Sequence, residues 1–263
     1  MIGLDFPVRP EWIHDVHALW QPQQPVSDLV EAAVTGTMQE IGGEKSRRNS
    51  LTVILRYFVA TEGGGQSRRT AARDVWVAYS RRYPAGAMAP AYLAHLIAQN
   101  EVAQQATGFI ARRYVPGDGL ASNELRHHII ARFGQRKVAI NAANAFLRTL
   151  LYFGVLEDTA KRGHYRFHGP LAVSRDVFPL VIWAWWQRRL DPQIDLDGFA
   201  ADPTLAFLQP EHLRSHWQAY QPALWVLEER IEGRRATLRH ADAAGFERAL
   251  LQLAEAAHNR SES

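Results

Sequence analysis

The stretch that decides the fold runs from residue 122 to residue 167 and reads SNELRHHIIARFGQRKVAINAANAFLRTLLYFGVLEDTAKRGHYRF. Ser122 is a residue type that favours helix N-termini, so a helix is predicted to begin there and to end at Gly134. A second, longer helix is predicted over residues 136–153, with Gly154 ending it. The pattern therefore indicates two successive helices joined by a short turn.

A two-stranded hairpin is predicted directly after the second helix. Val155 and Leu156 indicate a short apolar strand, and residues 164–167 alternate in character as a returning strand does. The turn between them contains Lys161, Arg162 and Gly163. Two helices followed by such a hairpin are the plan of a winged helix-turn-helix, and a preceding helix, predicted over residues 90–114, completes its three-helix core.

The second helix of this unit carries a polar stripe. Its members recur at spacings of four, three and four residues, which places them on one helix face; they are Lys137, Asn141, Asn144 and Arg148. The opposite face is apolar and consists of Ala142, Phe146, Leu147 and Leu150. In winged-helix proteins the second helix enters the major groove, where asparagine can bond to adenine and arginine to guanine. The stripe is therefore predicted to contact DNA.

Other basic residues of the same unit are predicted to extend this contact. Arg126 and His128 are expected to line the DNA side of the first helix, and Arg136 stands at the start of the second. Lys161 and Arg162 at the tip of the hairpin are placed to touch phosphate or the minor groove. The alternative is that these side chains form an ordinary solvated surface.

A separate basic segment lies in the N-terminal half of the chain. Lys45, Arg47 and Arg48 open one predicted helix, and Arg68 and Arg69 open the next. The amides at a helix N-terminus favour anions, so these residues are interpreted as an auxiliary phosphate contact. A solvated run of charge is the alternative interpretation.

Charge is distributed unevenly along the chain. The formal net charge is only +3, but residues 44–82 carry +6 and residues 112–175 carry +7. A segregated positive field of this kind is what a polyanion-binding face needs, because each basic side chain placed near a phosphate can release condensed counterions. The distribution favours nucleic acid as the partner.

The chain as a whole is predicted to be mostly α-helical. Further helices are predicted over residues 11–20, 27–41, 44–60, 69–83, 176–190, 210–220 and 244–258. The proline-rich first 25 residues are predicted to be an extended arm, residues 191–203 an acidic linker, and residues 224–240 a hairpin around Gly233. Three domains are predicted: a helical N-terminal domain (1–115), a winged helix-turn-helix (116–175) and a C-terminal α/β accessory or assembly region (176–263).

No cofactor, metal or catalytic site is predicted. The chain has no cysteine, which removes thiolate ligands and nucleophiles. His212 and His216 are spaced to chelate zinc but lack a third ligand, and residues 195–198 resemble only a fragment of a calcium loop. Residues 42–46 faintly resemble a phosphate-binding loop but lack its Gly-Lys-Ser order. We therefore expect a protein that is not an enzyme.

The expected compartment is the cytoplasm, with no membrane partner. The first 15 residues lack the basic and apolar segments of a signal peptide. The most apolar stretch, residues 178–186, is shorter than the roughly 20 residues that a spanning helix needs. Its three tryptophans are interpreted as part of a core helix or a subunit contact.

Two functions remain open at this point. The first is non-catalytic binding of double-stranded DNA, and the second is an assembly module whose winged helix contacts another protein. The acidic tail (residues 176–263, charge −4) and its apolar residues at 224–227 suggest a contact surface, so protein partners or a homo-oligomer are expected.

The sequence resembles BrxA, the small DNA-binding component of bacterial BREX phage-exclusion systems. The likeness is carried by the winged-helix stretch 122–167, most closely by residues 144–156, and by the basic opening of a helix at residues 44–48. It covers the layout of about residues 28–175. The resemblance implies sequence-tolerant binding of duplex DNA within a multi-protein antiviral defence system, without catalysis by this chain.

Overall fold

The computed structural model describes residues 4–62, 70–71, 74–189, 191–231, 233–240 and 242–261. The fold is mostly α-helical with a small β part, as predicted. The helices are α1 (Pro10–Leu19), α2 (Val26–Gly36), α3 (Glu44–Phe58), α4 (Val75–Ser80), α5 (Ala85–Gln99), α6 (Glu101–Arg113), α7 (Ser122–Phe133), α8 (Lys137–Tyr152), α9 (Phe178–Trp186), α10 (Leu196–Ala200), α11 (Pro210–Ser215) and α12 (Ala243–Ser261). The strands are β1 (Thr61–Glu62), β2 (Thr70–Ala71), β3 (Gly119–Ala121), β4 (Leu156–Asp158), β5 (His164–Phe167), β6 (Gln193–Asp195), β7 (Trp225–Arg230) and β8 (Gly233–Leu238).

Two apolar helices, α5 and α9, form the centre of the molecule. Every residue of α9 is buried, as is the run Met88–Ala98 of α5, and the two helices pack against each other. A helix that is apolar on all sides has to be covered on all sides. Helices α1, α3, α4 and α6 pack on α5, and α12 packs on α9. The tryptophan-rich segment is thus a core helix.

Several helices differ in extent from the sequence prediction. The helix predicted over residues 90–114 is two helices, because Asn100 adopts an extended conformation and its side-chain oxygen accepts a hydrogen bond from the Ala103 N–H at 2.9 Å. Such a bond starts a new helix. Likewise α4 begins only after Asp74, whose carboxylate accepts from the Trp76 N–H at 2.7 Å, so the helix predicted over residues 69–83 is much shorter.

The central unit has the element order of a winged helix-turn-helix. Helix α6 leads through β3 to α7 and α8, and β4 and β5 follow as an antiparallel hairpin. Strand β3, which the sequence did not predict, pairs with β5, so the sheet order is β3-β5-β4. Ser122 is the first residue of α7 rather than its cap, and its N–H donates to the Gly163 carbonyl at 2.8 Å. Sheet and helices are thereby joined at the hairpin turn.

The stretch predicted as a linker is ordered. Residues 193–195 form β6, which pairs with β8 in a second sheet of order β6-β8-β7. Asp195 then caps α10, because its carboxylate accepts from the Gly198 N–H at 2.9 Å. The prediction of a linker was wrong because the acidic residues act as helix caps, and the alternating Ile194 and Leu196 are buried.

The N-terminal segment is also packed rather than an extended arm. Leu4 and Val8 are fully buried, and the Val8 N–H donates to the Thr149 hydroxyl of α8 at 3.2 Å. One continuous hydrophobic core contains residues from all three predicted domains. None of the helices in the described ranges has the length and hydrophobicity needed to cross a bilayer.

Candidate nucleic-acid interface

The polar stripe on α8 is exposed along its whole length. Lys137, Asn141, Asn144 and Arg148 face solvent. Ala142, Phe146, Leu147 and Leu150 on the opposite face are each no more than 2% exposed. The burial pattern agrees with the predicted register of this helix. Across the described part of the chain, the side chains of the four stripe residues make no hydrogen bond and no ion pair, so their polar groups are available to a partner.

The two halves of α8 differ in how much of the helix is uncovered. Towards its C-terminal end α8 is covered beside the stripe, because Thr149 is fully buried beneath the N-terminal segment and accepts the Val8 N–H. The Arg9 guanidinium lies over the Tyr152 ring at 4.0 Å from the centroid. The N-terminal half, around Lys137 and Asn141, is open. A DNA groove would therefore meet this half most directly.

A cleft of about 360 Å³ lies beside the C-terminal half of α8. Its lining includes Arg148 and Tyr152 of α8, Ser46 and Ser50 of α3, and Trp12 of α1. The cleft places the basic start of α3 next to the polar stripe, so the two basic regions predicted from sequence are neighbours. That juxtaposition could not be inferred from sequence, because about 100 residues separate the two regions.

A partly buried polar network lies among the residues that line this cleft. The Trp12 Nε1 donates to the Glu40 carboxylate at 2.6 Å, and the Arg9 guanidinium lies 3.5 Å from the same carboxylate. The hydrogen bond from Trp12 is the main reason that the pKa of Glu40 is lowered, and Arg9 adds to it. The network fixes the N-terminal segment against the end of α8.

The three basic residues at the start of α3 have different surroundings. Lys45 is exposed. Arg47 is half-buried and donates to the Ile41 carbonyl at 3.2 Å. Arg48 is paired with Glu44 at 2.7 Å and Glu31 at 2.9 Å, and these carboxylates offset its charge. Lys45 is therefore the member of this group best placed to meet a phosphate. Arg68 and Arg69 lie outside the described residues.

The hairpin between β4 and β5 presents its two basic residues at its tip. Lys161 and Arg162 are exposed, and no carboxylate pairs with either within the described ranges. Gly163 has a φ of 75°, a conformation that favours glycine. Thr159 donates its hydroxyl to the His164 carbonyl at 2.9 Å across the turn. The turn is thus a defined structure that holds two positive charges away from the core.

Arg148 connects the stripe to this hairpin. Burial raises the pKa of the Tyr165 hydroxyl on β5, Asp158 adds to the rise, and Arg148 opposes it. Arg148 therefore acts electrostatically on the hairpin strand as well as lining the cleft.

Helix α7 exposes two arginines, Arg126 and Arg132, while one of its histidines has a structural role. Arg126 is exposed as predicted. His128, which the sequence placed on the DNA side, instead stacks on Phe109 of α6 with ring centroids 4.7 Å apart. Burial lowers its pKa, and nearby Arg112, Arg113 and Arg132 lower it further. The sequence missed this arginine cluster, although the basic pair ending α6 was a visible signal.

The residues considered as metal ligands serve the fold. His212 Nδ1 accepts from the Val173 N–H at 3.1 Å, and His216 Nε2 bonds to the Val173 carbonyl at 2.8 Å. The pair thus fixes the segment that follows the hairpin of β4 and β5, which we call the wing. Asp195 is occupied as the cap of α10. Among the residues the structure describes, no group of three His, Asp or Glu side chains is arranged to hold a metal ion.

The fold and this face define a mostly helical protein whose central helices and sheet follow winged-helix order. No protein-family model and no curated protein matches the sequence. The chain is similar in structure to SspB, whose crystal structure aligns over 95% of this chain and 86% of that chain with a TM-score of 0.55. The two sequences are 13% identical, so the similarity concerns the fold alone.

Proposed function

We propose that this chain binds double-stranded DNA without catalysing a reaction on it. The observation that supports the proposal best is the exposed stripe on α8, whose four polar side chains have no partner in the described part of the molecule. On the covered side of the same helix, by contrast, the Thr149 hydroxyl is satisfied by the Val8 N–H. An unpaired row of amide and basic groups on one helix face is suited to the edges of base pairs.

The dimensions of the face fit a duplex. Helix α8 has 16 residues, and at a rise of about 1.5 Å per residue it is long enough to lie across a major groove about 12 Å wide. The wing residues Lys161 and Arg162 flank it, and Lys45 lies beyond the cleft. These three are suited to phosphates, which position a protein without reading sequence.

The biological setting belongs to the same proposal. The layout that resembles BrxA, a helical N-terminal region followed by a winged helix, suggests a DNA-binding subunit of a bacterial phage-exclusion system in the cytoplasm. Such a subunit works with protein partners and leaves catalysis to them. A transcription regulator would use the same face in the same manner.

A salt titration tests the proposal. Binding of the full chain to a random 20-base-pair duplex is measured by fluorescence anisotropy from 50 to 250 mM salt. Several phosphate contacts should give a steep linear fall of log affinity with log salt, by roughly 0.9 per contact. Absence of binding at the lowest salt concentration would show that the proposal is wrong and would leave protein contact as the alternative role of the central unit.

A further inference from the structure

Helix α8 exposes one large apolar side chain beside its polar face. Val138 is 50% exposed. In the described chain the other exposed large hydrophobic residues are Val115, Val226 and Ile231, all outside this helix. Val138 precedes Asn141 by three residues, so the two side chains are neighbours on the helix surface.

Val138 lies at the exposed end of one side of α8, and the residues farther along that side are covered by the rest of the molecule. Ala145 and Thr149 follow it at seven and eleven residues, which places all three on one side of the helix. Ala145 is 4% exposed and Thr149 is fully buried, whereas Val138 stands free of the N-terminal segment that covers Thr149. Val138, Asn141 and Asn144 therefore form a short uncovered surface on the open half of α8.

Basic residues flank this trio at both ends. Arg136 and Lys137 stand at the start of the helix and Arg148 towards its end. From Val138 to Asn144 the helix rises about 9 Å, which corresponds to roughly three base pairs. The flanking charges can pair with phosphates, which leaves the three inner side chains to meet the base edges.

The inner side chains have the chemistry of adenine and thymine recognition. Asparagine bonds in a bidentate manner to the N6 and N7 atoms of adenine, and an apolar side chain contacts the thymine methyl group. We infer that α8 prefers A·T base pairs in the major groove, with Val138 against a thymine methyl group and Asn141 and Asn144 on adenine. The inference rests on the proposed DNA binding and adds a base preference to it.

Base analogues test the inference atom by atom. The full chain is titrated with an A·T-rich 20-base-pair duplex, with the same duplex carrying deoxyuridine for thymidine, and with one carrying 7-deazaadenine for adenine. Loss of the thymine methyl group should weaken binding about three- to fivefold, the value of one buried methyl group. Val138→Ala should bind the thymine and uracil duplexes equally.

Two further variants complete this comparison of protein variants with base-analogue duplexes. Changing Asn141 and Asn144 together to alanine should abolish the discrimination between adenine and 7-deazaadenine while keeping that between thymine and uracil. Val226→Ala, which alters an exposed valine on β7, should behave as the unaltered chain does with every duplex. The analogue comparison isolates a direct contact, because any change in duplex shape acts equally on all variants.

Each outcome of these titrations either supports or overturns the inferred base preference. Salt-dependent DNA binding that is indifferent to uracil, or an equal uracil effect in Val138→Ala, overturns the base preference and leaves the proposed function intact. Failure of the unaltered chain to bind any of the duplexes at low salt overturns the proposed function and the inference together.

Discussion

Neighbouring residues on α8 have opposite roles. Arg148 is exposed, whereas the next residue, Thr149, is fully buried and accepts the Val8 N–H at 3.2 Å while donating to the Ala145 carbonyl at 3.0 Å. A helix turns by about 100° per residue, so one step along the chain moves from the solvent-exposed side to the core. Substitutions at the two positions should therefore have separable effects.

The first prediction contrasts these two positions. Changing Asn141, Asn144 and Arg148 together to alanine should weaken duplex binding at least tenfold, because base and backbone contacts are lost. The melting temperature should change by only a few degrees, because exposed substitutions cost little stability. Thr149→Val should show the reverse, with about 1–3 kcal/mol of stability lost, because the buried Val8 N–H is left without an acceptor. An unfolded triple variant would mean that the stripe supports the core.

The buried histidines and the buried Asp74 make the stability of the fold depend on pH in opposite directions. Burial lowers the pKa of His17 and of His95 to about 4. Burial raises the pKa of Asp74 to about 7, although hydrogen bonds from Trp76 and Ala60 oppose the rise. Between pH 6.5 and 4 the unfolded chain binds more protons at the histidines, so their contribution falls as pH falls. Between pH 3.8 and 7 the folded chain binds the extra proton at Asp74, so its contribution falls as pH rises.

The second prediction follows from that balance. Asp74→Asn removes the group that favours the folded state in acid. On going from pH 6.5 to 5, this variant should therefore lose about 2 kcal/mol more stability than the unaltered chain, as measured by urea unfolding. The exposed Asp28→Asn serves as the control and should follow the unaltered chain. Identical pH profiles for Asp74→Asn and the unaltered chain would show that Asp74 stays ionised in the folded state.

Among the elements of the central unit, the wing is held by hydrogen bonding to the start of α7. The Ser122 N–H at the start of α7 bonds to the Gly163 carbonyl, and a side chain at position 163 would place its Cβ 3.0 Å from the Ser122 hydroxyl. The glycine thus allows the wing tip to approach α7 closely. Lys161 and Arg162 are held at a fixed position relative to α8 as a result.

The third prediction reverses the charge of the wing. Lys161→Glu with Arg162→Glu should weaken binding to unrelated duplexes by a similar factor and should reduce the salt slope by roughly two. Arg214→Glu with Arg230→Glu changes the net charge equally on the tail, where both arginines already face carboxylates. That control should leave the salt slope unchanged. Equal slopes for the wing variant and the unaltered chain would exclude the turn from the DNA contact.

At the scale of the whole molecule, the tail is part of the core. Phe246 of α12 is fully buried and packs on Trp183 and Trp186 of α9, with ring centroids 5.8 and 5.7 Å apart. Of the tail residues expected to form a contact surface, Leu224 and Trp225 are buried within the chain and Val226 is exposed. The apolar tail sequence therefore reflects internal packing.

The fourth prediction concerns this packing. Phe246→Ala should cost about 3–5 kcal/mol of stability, because it removes a large buried ring that packs on two tryptophans. DNA affinity of the folded protein should stay within twofold, because α12 is not part of the winged-helix unit. Deleting residues 191–263 should abolish folding, because α9 would be uncovered; a folded, monomeric truncation with native circular dichroism would show that the tail is a separable accessory region.

Much of the winged-helix unit could be predicted from local sequence. The glycines at 134, 154 and 163 mark two helix ends and a turn, and the four-three-four spacing on α8 sets its register, because helical geometry acts over only a few residues. Strand β3 was missed because its three residues have no pattern of their own and become a strand only by pairing with β5. The tail strand β6 was missed for the same reason.

The mostly helical composition, the positions of the central helices and wing, and the polar face of α8 all follow from local sequence. Which basic residues are available depends on long-range packing, because Arg48 is paired with Glu31, 17 residues earlier, and His128 is stacked on Phe109. The packing also places Val8 of the N-terminal segment against Thr149, the neighbour of Arg148 on α8, although 141 residues separate Val8 from Thr149. Local spacing fixes which side of a helix a residue occupies, whereas the neighbours that cover or neutralise it come from distant parts of the chain.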